Sequence, residues 1–230
     1  MTQTLNQLLD TILEELSSFK VTDDFPIDPD YIKDKIVAIN GSLVREEYGQ
    51  TSKVNFQFYQ RFDCNHVECM ETVCEVGGIL VTKKHPIYRV VLPVLMPGIG
   101  NKDIIYFGLS GYKKNFRRTT INGFASTEYN LYTGKKPAWC PVGNEAFVTN
   151  LPTAGTRLVS VIVVLADPRK APNWSDETSI FPTPSPYKLA MLVKADIAKS
   201  FNLVPDLKHD AQRALGIPKE TPQNAEQPTG

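Results

Sequence analysis

The stretch LVSVIVVLA, residues 158–166, is the longest apolar run in this sequence of 230 residues. Only Ser160 interrupts it, and the Val and Ile residues that dominate it favour the extended backbone of a strand. An apolar run without polar alternation is typical of a strand buried within a sheet. It is also far shorter than the roughly 18 apolar residues that a membrane-spanning helix requires. We therefore predict a central strand here and no membrane-spanning segment.

Residues 54–182 around this run contain further strand-like segments, separated by Pro, Gly and Asn. These segments are GGILVTK, YRVVLPV, DIIYFGL, EYNLYT and EAFVTN. The segment VNFQFYQRF alternates, which would place Val54, Phe56 and Phe58 on one face of a strand. The glycines of PGIGNKD precede no helical pattern, so we interpret them as a turn between two strands. The whole pattern predicts an antiparallel sandwich or a partial barrel.

Apolar residues at helical spacing occupy both ends of the chain. The first helix is predicted to begin with a capping box of Thr4 and Gln7. The second begins at Asp28 and Pro29, and we expect it to end near Gly49. Ser185 and Pro186 would begin a third helix, which is expected to pack against the first two. The three predicted stripes are Leu5, Leu8, Leu9, Ile12, Leu13, Leu16 and Phe19; Ile32, Ile36, Ile39 and Leu43; and Leu189, Leu192, Val193, Ile197 and Phe201.

The predicted fold class is therefore α+β, a small helical bundle with an inserted antiparallel β domain. We assign residues 1–53 to a helical hairpin, 54–182 to the β domain and 183–216 to the returning helical segment. Residues 217–230 have almost no apolar content to offset the entropy cost of ordering, and they are predicted to be a flexible tail.

Charge is balanced over the whole chain but unevenly distributed along it. The 25 basic and 25 acidic residues leave no net charge to drive the protein onto nucleic acid or membrane. Residues 1–53, however, hold ten Asp or Glu against five Lys or Arg, and residues 83–136 hold ten Lys or Arg against Asp103 and Glu128. Opposed faces of this kind suit docking or self-association. The amino-terminal residues lack a secretion pattern, so we expect a reducing cytoplasm and free thiols.

The segment DCNHVECMETVC, residues 63–74, raises the question of a zinc site formed by Cys64, His66, Cys69 and Cys74. Five-residue steps place the three thiols about 140° apart on a helix, and on alternate faces of a strand. The segment also lacks the usual two-residue knuckle and any turn-forming Gly or Pro. We therefore favour small buried thiols and expect no cofactor, with zinc and a disulfide as the alternatives.

Catalytic signatures are not evident in the sequence. Its three histidines, His66, His85 and His209, occur in unlike contexts, and no GxSxG, HExxH, phosphate-loop or dinucleotide motif is present. We predict that the protein is not an enzyme, with a zinc-dependent enzyme as the alternative that DCNHVECMETVC leaves open.

The basic segment YKKNFRR, residues 112–118, is the strongest candidate for an interaction surface. It interleaves aromatic and cationic residues, as nucleic-acid surfaces often do. Three interpretations stay open: a solvated hairpin tip, a surface that docks on the acidic hairpin, and direct contact with phosphate. The cations concerned are Lys113, Lys114, Arg117 and Arg118, with Lys83, Lys84, Lys135 and Lys136 as a possible extension; the acidic candidates are Asp23, Asp24, Asp28 and Asp30.

Four segments carry a resemblance to known proteins: DDFPIDPDYIKDKIVAINGSLVREEYGQ, DCNHVECMETVC, the strand ending at Ala166, Asp167 and Pro168, and AMLVKADIAKSFNLVPDLKHD. Taken together, these segments resemble structural proteins from the head-to-tail region of crAss-like tailed bacteriophages. The resemblance extends from residue 4 to about 210. More loosely, the chain is similar to the gatekeeper-type portal adaptors of short-tailed phages.

The resemblance implies a virion protein of the head-to-tail junction or tail, assembled in the host cytoplasm. Such proteins form homo-oligomeric rings, usually twelve-fold, beneath the portal and around the DNA channel. Their partners are the portal protein and the adjacent ring or tail proteins, with passing contact to genomic DNA. The alternative function is a nucleic-acid-binding module that uses residues 112–118.

Overall fold

The computed structural model describes residues 2–16, 27–111, 114–127, 135–151 and 158–201, except for the side chains of residues 64–66. Within these ranges the chain forms four α-helices and ten strands, which confirms the α+β class. The helices are α1 (Leu5–Leu16), α2 (Pro29–Thr51), α3 (Ile121–Ala125) and α4 (Pro186–Ser200). The strands are β1 (Gln60–His66), β2 (Glu68–Cys69), β3 (Val73–Val76), β4 (Ile79–Thr82), β5 (Tyr88–Val91), β6 (Ile104–Leu109), β7 (Arg117–Arg118), β8 (Ala138–Val142), β9 (Glu145–Thr149) and β10 (Leu158–Val163).

The strands form two larger sheets and a hairpin. The three-stranded sheet has the order β1-β10-β6, the five-stranded sheet has the order β2-β5-β9-β8-β7, and β3 pairs with β4. Neighbouring strands are antiparallel except β7 and β8, which run parallel. The apolar run that begins at Leu158 forms the central strand of its sheet, so that prediction is confirmed.

The two larger sheets share one apolar core. Val159, Val161 and Val163 of β10 lie in the same cluster as Val90, Ala146 and Val148 of the other sheet. Phe107 stacks on Trp139 across this cluster, with ring centroids 4.6 Å apart. At one side the chain passes directly from β1 to β2 through the buried Val67. An edge strand of one sheet therefore continues into an edge strand of the other, as in a partly closed barrel.

A second apolar cluster lies among α1, α2 and α4, and it contains most of the predicted stripes. The predicted caps also form. The backbone N–H of Thr4 donates to Gln7 Oε1 over 3.0 Å, and that of Gln7 donates to Thr4 Oγ1 over 3.3 Å. Asp28 caps α2 by accepting from the Asp30 N–H. Ser185 precedes α4 as expected, but its side chain makes no capping bond.

Helix α2 packs against both parts of the molecule. Its first half contributes Ile32 and Ile36 to the helical cluster. Its second half contributes Val44 to a separate cluster with Met96 and Ile99, which belong to the loop after β5. The assigned boundary at residue 53 therefore marks the end of a helix and not a gap in packing.

Two local predictions were wrong. Helix α2 does not end at Gly49 but continues to Thr51, where Ser52 takes the left-handed conformation with φ 55°. The first half of VNFQFYQRF is a 3-10 turn at Phe56–Phe58, which breaks the alternation expected for a strand. Phe56 is consequently 77% exposed while Phe58 is buried.

The predicted strand EYNLYT, the end of the returning helical segment beyond residue 201 and the predicted tail 217–230 lie outside the described residues. In the part of the chain that the structure describes, no helix is long and apolar enough to cross a membrane.

Candidate interaction surfaces

The segment DCNHVECMETVC is distributed over β1, β2 and β3. Cys69 lies in β2, opposite Tyr88 of β5, whereas Cys74 lies in β3, opposite Val81 of β4. Cys69 is exposed and Cys74 is half-buried, so the expectation of uniformly buried thiols was wrong for Cys69. The side chains of Cys64 and His66 lie outside those described. Among the described side chains, no three His, Cys, Asp or Glu residues are grouped as a metal-ligand set.

Two thiols have raised pKa values because of their surroundings. Burial raises the pKa of the Cys74 thiol. Burial also raises the pKa of the buried Cys140 thiol, and the nearby positive charge of Arg118 opposes that rise. Since the thiolate is the nucleophile and the metal ligand, both groups are held in the less reactive form.

The basic segment follows the edge of β6 and does not project as a free tip at residues 114–118. The side-chain amide of Asn115 donates to the Ile105 carbonyl and accepts from the Phe107 N–H, at 3.1 and 3.0 Å. The backbone N–H of Phe116 donates to the Phe107 carbonyl over 2.7 Å, and the Phe116 ring is buried. The chain then enters β7, so this segment links the two sheets on the side opposite Val67. Tyr112 and Lys113 lie outside the described residues.

Arg118 is committed to contacts within the chain. Its Nη1 donates to Asp103 Oδ1 over 2.7 Å and to the Asn101 carbonyl over 3.1 Å. Its guanidinium also lies over the Trp139 ring, 5.2 Å from the centroid. The group proposed from sequence as a docking cation is thus a packing element, with its charge largely satisfied inside the fold.

The structure brings four other cations of this region to one exposed edge. Arg117 donates from its backbone N–H to the Pro137 carbonyl over 3.2 Å, which sets β7 beside the turn that carries Lys135 and Lys136. Lys114, Arg117, Lys135 and Lys136 are all exposed, and we call them the basic edge. Sequence reasoning named each of these residues, but the pairing of β7 with β8 is what sets Arg117 beside Lys135 and Lys136, and Lys114 lies three residues before Arg117.

Lys83 does not extend the basic edge. Only 4% of this residue is exposed. Its Nζ donates to the carbonyls of Phe124 and Ala125, the second over 3.0 Å, and it lies 5.3 Å from the centroid of the Phe124 ring. Lys83 therefore fastens the end of the β3–β4 hairpin to the end of α3.

The acidic candidates lie at the start of α2, on the helical side of the molecule. Asp28 and Asp30 are exposed, and Asp28 Oδ1 also accepts the Asp30 N–H over 2.9 Å. Asp34, one helical turn later, pairs with Arg169 over 2.8 Å. Asp23 and Asp24 lie outside the described residues. The acidic candidates that the structure describes are thus Asp28 and Asp30 in the first turn of α2, and we call these two residues the acidic start.

A groove of about 580 Å³ lies between residues 56–62 and residues 171–183. Its titratable lining groups are Tyr59 and Arg61. Tyr59 donates to the Lys102 carbonyl over 2.7 Å, and burial raises its pKa. Arg61 pairs with Asp63 over 3.0 Å. Both groups are therefore engaged by contacts within the chain.

Sequence reasoning missed the exposed apolar side of α4. Leu192 was assigned to the buried stripe, but it is 38% exposed, and Tyr187 is 71% exposed. The signal for this second face was present, because Tyr187 and Met191 are one helical turn apart and point away from Leu189 and Val193.

Comparison with models of protein families and with curated proteins gave no match for this chain.

Proposed function

We propose that this protein is a non-enzymatic virion subunit, a ring or adaptor protein of a phage head-to-tail connector that assembles beneath the portal around the DNA channel. The observation that supports it is the separation of two exposed, oppositely charged surfaces. The basic edge belongs to the β part, and the acidic start belongs to α2 on the helical part. A ring built from identical subunits requires two different, complementary faces on each one.

Ion pairs alone would contribute only a small binding free energy to a contact between the basic edge and the acidic start. Exposed ion pairs contribute about 0–1 kcal/mol each, so the basic edge and the acidic start would guide register and speed of docking more than affinity. Affinity would then come from repetition around the ring and from the portal as a template. This reasoning fits a subunit that assembles on a partner.

The alternative, a nucleic-acid-binding module, is less well supported by the geometry. Binding to single strands usually combines cations with aromatic rings on which bases stack. In residues 114–118 the aromatic residue is Phe116, and its ring is buried in the core. The basic edge therefore offers cations without a described stacking platform, which favours contact with a protein carboxylate surface.

The test is native mass spectrometry of the chain with its presumed portal protein. The wild type is expected to be a metal-free monomer that reaches a multiple near twelve on the portal. The double variant Arg117→Glu, Lys136→Glu should stay folded and fail to assemble. The matched control Lys53→Glu, Lys170→Glu makes the same change of net charge at two exposed lysines outside the basic edge, and it should assemble normally.

The ring, nucleic-acid and zinc hypotheses predict different results. Normal assembly of the Arg117→Glu, Lys136→Glu variant would remove the charge-docking argument. A wild-type chain that ignores the portal but binds DNA with a steep salt dependence would favour the nucleic-acid module, because phosphate contacts release counterions. One bound zinc per chain, with loss of both the zinc and the fold on chelation, would favour the zinc site that includes Cys64.

A further inference from the structure

Helix α4 has a second apolar side that faces away from the helical cluster. Tyr187 is 71% exposed, Met191 40% and Leu192 38%, whereas Leu189 and Val193 are fully buried. A helix packed against a single core normally carries polar residues on its outer side. Lys188 and Lys199 are exposed at the two ends of this outer side. The outer side of α4 is therefore apolar in the middle and basic at its ends.

The other charges of α4 are used within the subunit. Lys194 pairs with Glu15 of α1 over 3.4 Å, and Asp196 pairs with Lys35 of α2 over 2.7 Å. Within the described ranges, no ion pair is formed by Lys188 or Lys199. These two cations are thus the ones that α4 presents outward.

Helix α1 carries the complementary pattern on its own outer side. Asp10, Leu13 and Glu14 are exposed, while Leu8, Leu9 and Ile12 are buried. Because α1 and α4 bury their inner sides in the same cluster, their outer sides face different directions. One subunit therefore has an apolar-basic helical face and an apolar-acidic helical face.

We propose that α4 of one copy packs against α1 of the next copy, with Leu13 beside Met191 and Leu192. This inference rests on the proposed ring function and names the helical contact between its subunits. We place the two helices antiparallel, with Leu13 opposite Leu192. At about 1.5 Å per residue, the axial distance is then about 4.5 Å from Glu14 to Lys188 and about 6 Å from Asp10 to Lys199. Extended lysine side chains span such offsets.

A second copy of this chain fits better than an unrelated partner, because one subunit carries both complementary surfaces, the apolar-basic side of α4 and the apolar-acidic side of α1. The contact is small. Helix α1 is about 18 Å long at 1.5 Å per residue, so one helix pair buries less than the roughly 1,000 Å² of a stable interface. We therefore expect weak self-association in solution, which is detectable at high concentration and low salt.

The experiment is sedimentation velocity of the purified chain at several hundred micromolar in low salt. Variant A carries Lys188→Glu and Lys199→Glu, and variant B carries Asp10→Lys and Glu14→Lys. Each is expected to associate at least about tenfold more weakly than the wild type, because like charges would meet. An equimolar mixture of A and B should recover association, since each contact then pairs opposite charges again.

Two controls keep the result interpretable. Lys53→Glu, Lys170→Glu carries the charge change of variant A away from α4 and should associate like the wild type. Met191→Gln keeps every charge and removes apolar surface, so it should weaken association even if variant B folds poorly. Thermal melts followed by circular dichroism report whether each variant is folded.

Every other outcome overturns the helical contact. Wild-type association of A or B, no recovery in the mixture, or a wild type that stays monomeric at the highest concentration would each do so. The ring function has its own test on the portal. If the wild type assembles there while A and B do so equally well, the ring function stands and this contact is wrong.

Discussion

The guanidinium of Arg118 and the carboxylate of Asp103 form an ion pair of 2.7 Å between β7 and the turn that precedes β6. Both side chains are largely buried. The Asp103 carbonyl in turn accepts the Val164 N–H over 2.8 Å, just beyond the end of β10. The pair therefore fastens the short parallel strand to the three-stranded sheet, and a residue of the basic segment acts as part of the core.

Replacement of Arg118 by Ala should accordingly reduce the stability of the fold. It would remove the ion pair to the Asp103 carboxylate, which would keep the Ile104 N–H as a donor, and it would remove the cation over Trp139. We expect a loss of about 2 kcal/mol in the free energy of unfolding, a typical value for hydrogen bonds to charged groups. Urea denaturation followed by fluorescence measures it. The neighbouring exposed Arg117→Ala should change stability by less than about 0.5 kcal/mol, and equal losses in the two variants would contradict the assignment.

Local chemistry made much of the fold predictable from the sequence. The capping box of Thr4 and Gln7, the Asp28 cap and the central strand beginning at Leu158 each depend on residues close together in the chain. Helix α2 ends two residues beyond the predicted Gly49, because Ser52 and not a glycine takes the left-handed conformation that ends it. Packing of the second half of α2 on Met96 and Ile99 depends on distant residues and has no local signature.

The candidate surfaces were only partly predictable for the same reason. The sequence identifies Lys135, Lys136 and Arg117 as cations, but only the pairing of β7 with β8 sets them side by side. It cannot tell that Arg118 turns inward to Asp103, since that contact spans fifteen residues. Helical periodicity likewise predicted that Leu192 lies in the core. In the structure the core side of α4 is formed by Leu189, Val193 and Ile197 instead.

The tip of the β3–β4 hairpin offers a test of how closely it packs on the rest of the β part. Gly77 and Gly78 both have positive φ, at 57° and 79°. A Cβ on Gly77 would lie 2.8 Å from Ile121 Cδ1, whereas a Cβ on Gly78 would meet nothing within 4 Å. We expect Gly78→Ala to cost about 1–2 kcal/mol for the left-handed conformation. Gly77→Ala should cost more than Gly78→Ala, because the end of the Ile121 side chain must also move away from the new Cβ, and urea denaturation measures both losses.

A second substitution separates the two causes of the stability loss in Gly77→Ala, the left-handed conformation and the contact with Ile121. Ile121→Val removes the methyl carbon that the new Cβ would strike, so it should recover part of the loss in Gly77→Ala. The same change should give no recovery in Gly78→Ala. If both glycine variants lose the same stability, the hairpin tip does not pack on α3 as described.

Cysteine reactivity should follow burial. Iodoacetamide at pH 8, with peptide mapping by mass spectrometry, is expected to label the exposed Cys69 first and the half-buried Cys74 more slowly. Cys140 should be labelled only on unfolding, because it is buried and burial raises its pKa. Addition of EDTA should leave the rate at Cys69 unchanged. A faster rate with EDTA would indicate that Cys69 binds a metal.

The carboxylate of Asp176 should make stability depend on acid pH. It accepts bonds of 2.7 Å from Lys33 Nζ and from Trp174 Nε1. Burial works to raise its pKa, but the bonds from Lys33 and Trp174 outweigh that effect and hold the pKa below its usual range. A lowered pKa in the folded state means that the stabilisation is complete above the unfolded value of about 4. It is lost as the pH falls through the lower folded value.

We therefore expect Asp176→Asn to lower the free energy of unfolding by about 1 kcal/mol at pH 7, with a difference from the wild type that shrinks as the pH falls below about 4. Urea denaturation at pH 7, 5, 4 and 3 measures it. Lys33→Met in both backgrounds completes a double-mutant cycle, which isolates the coupling between Lys33 and Asp176. Since only the ionised carboxylate attracts the ammonium group, this coupling should also fade in acid. A coupling that is constant from pH 7 to pH 3 would mean that the pair contributes through packing and not through charge.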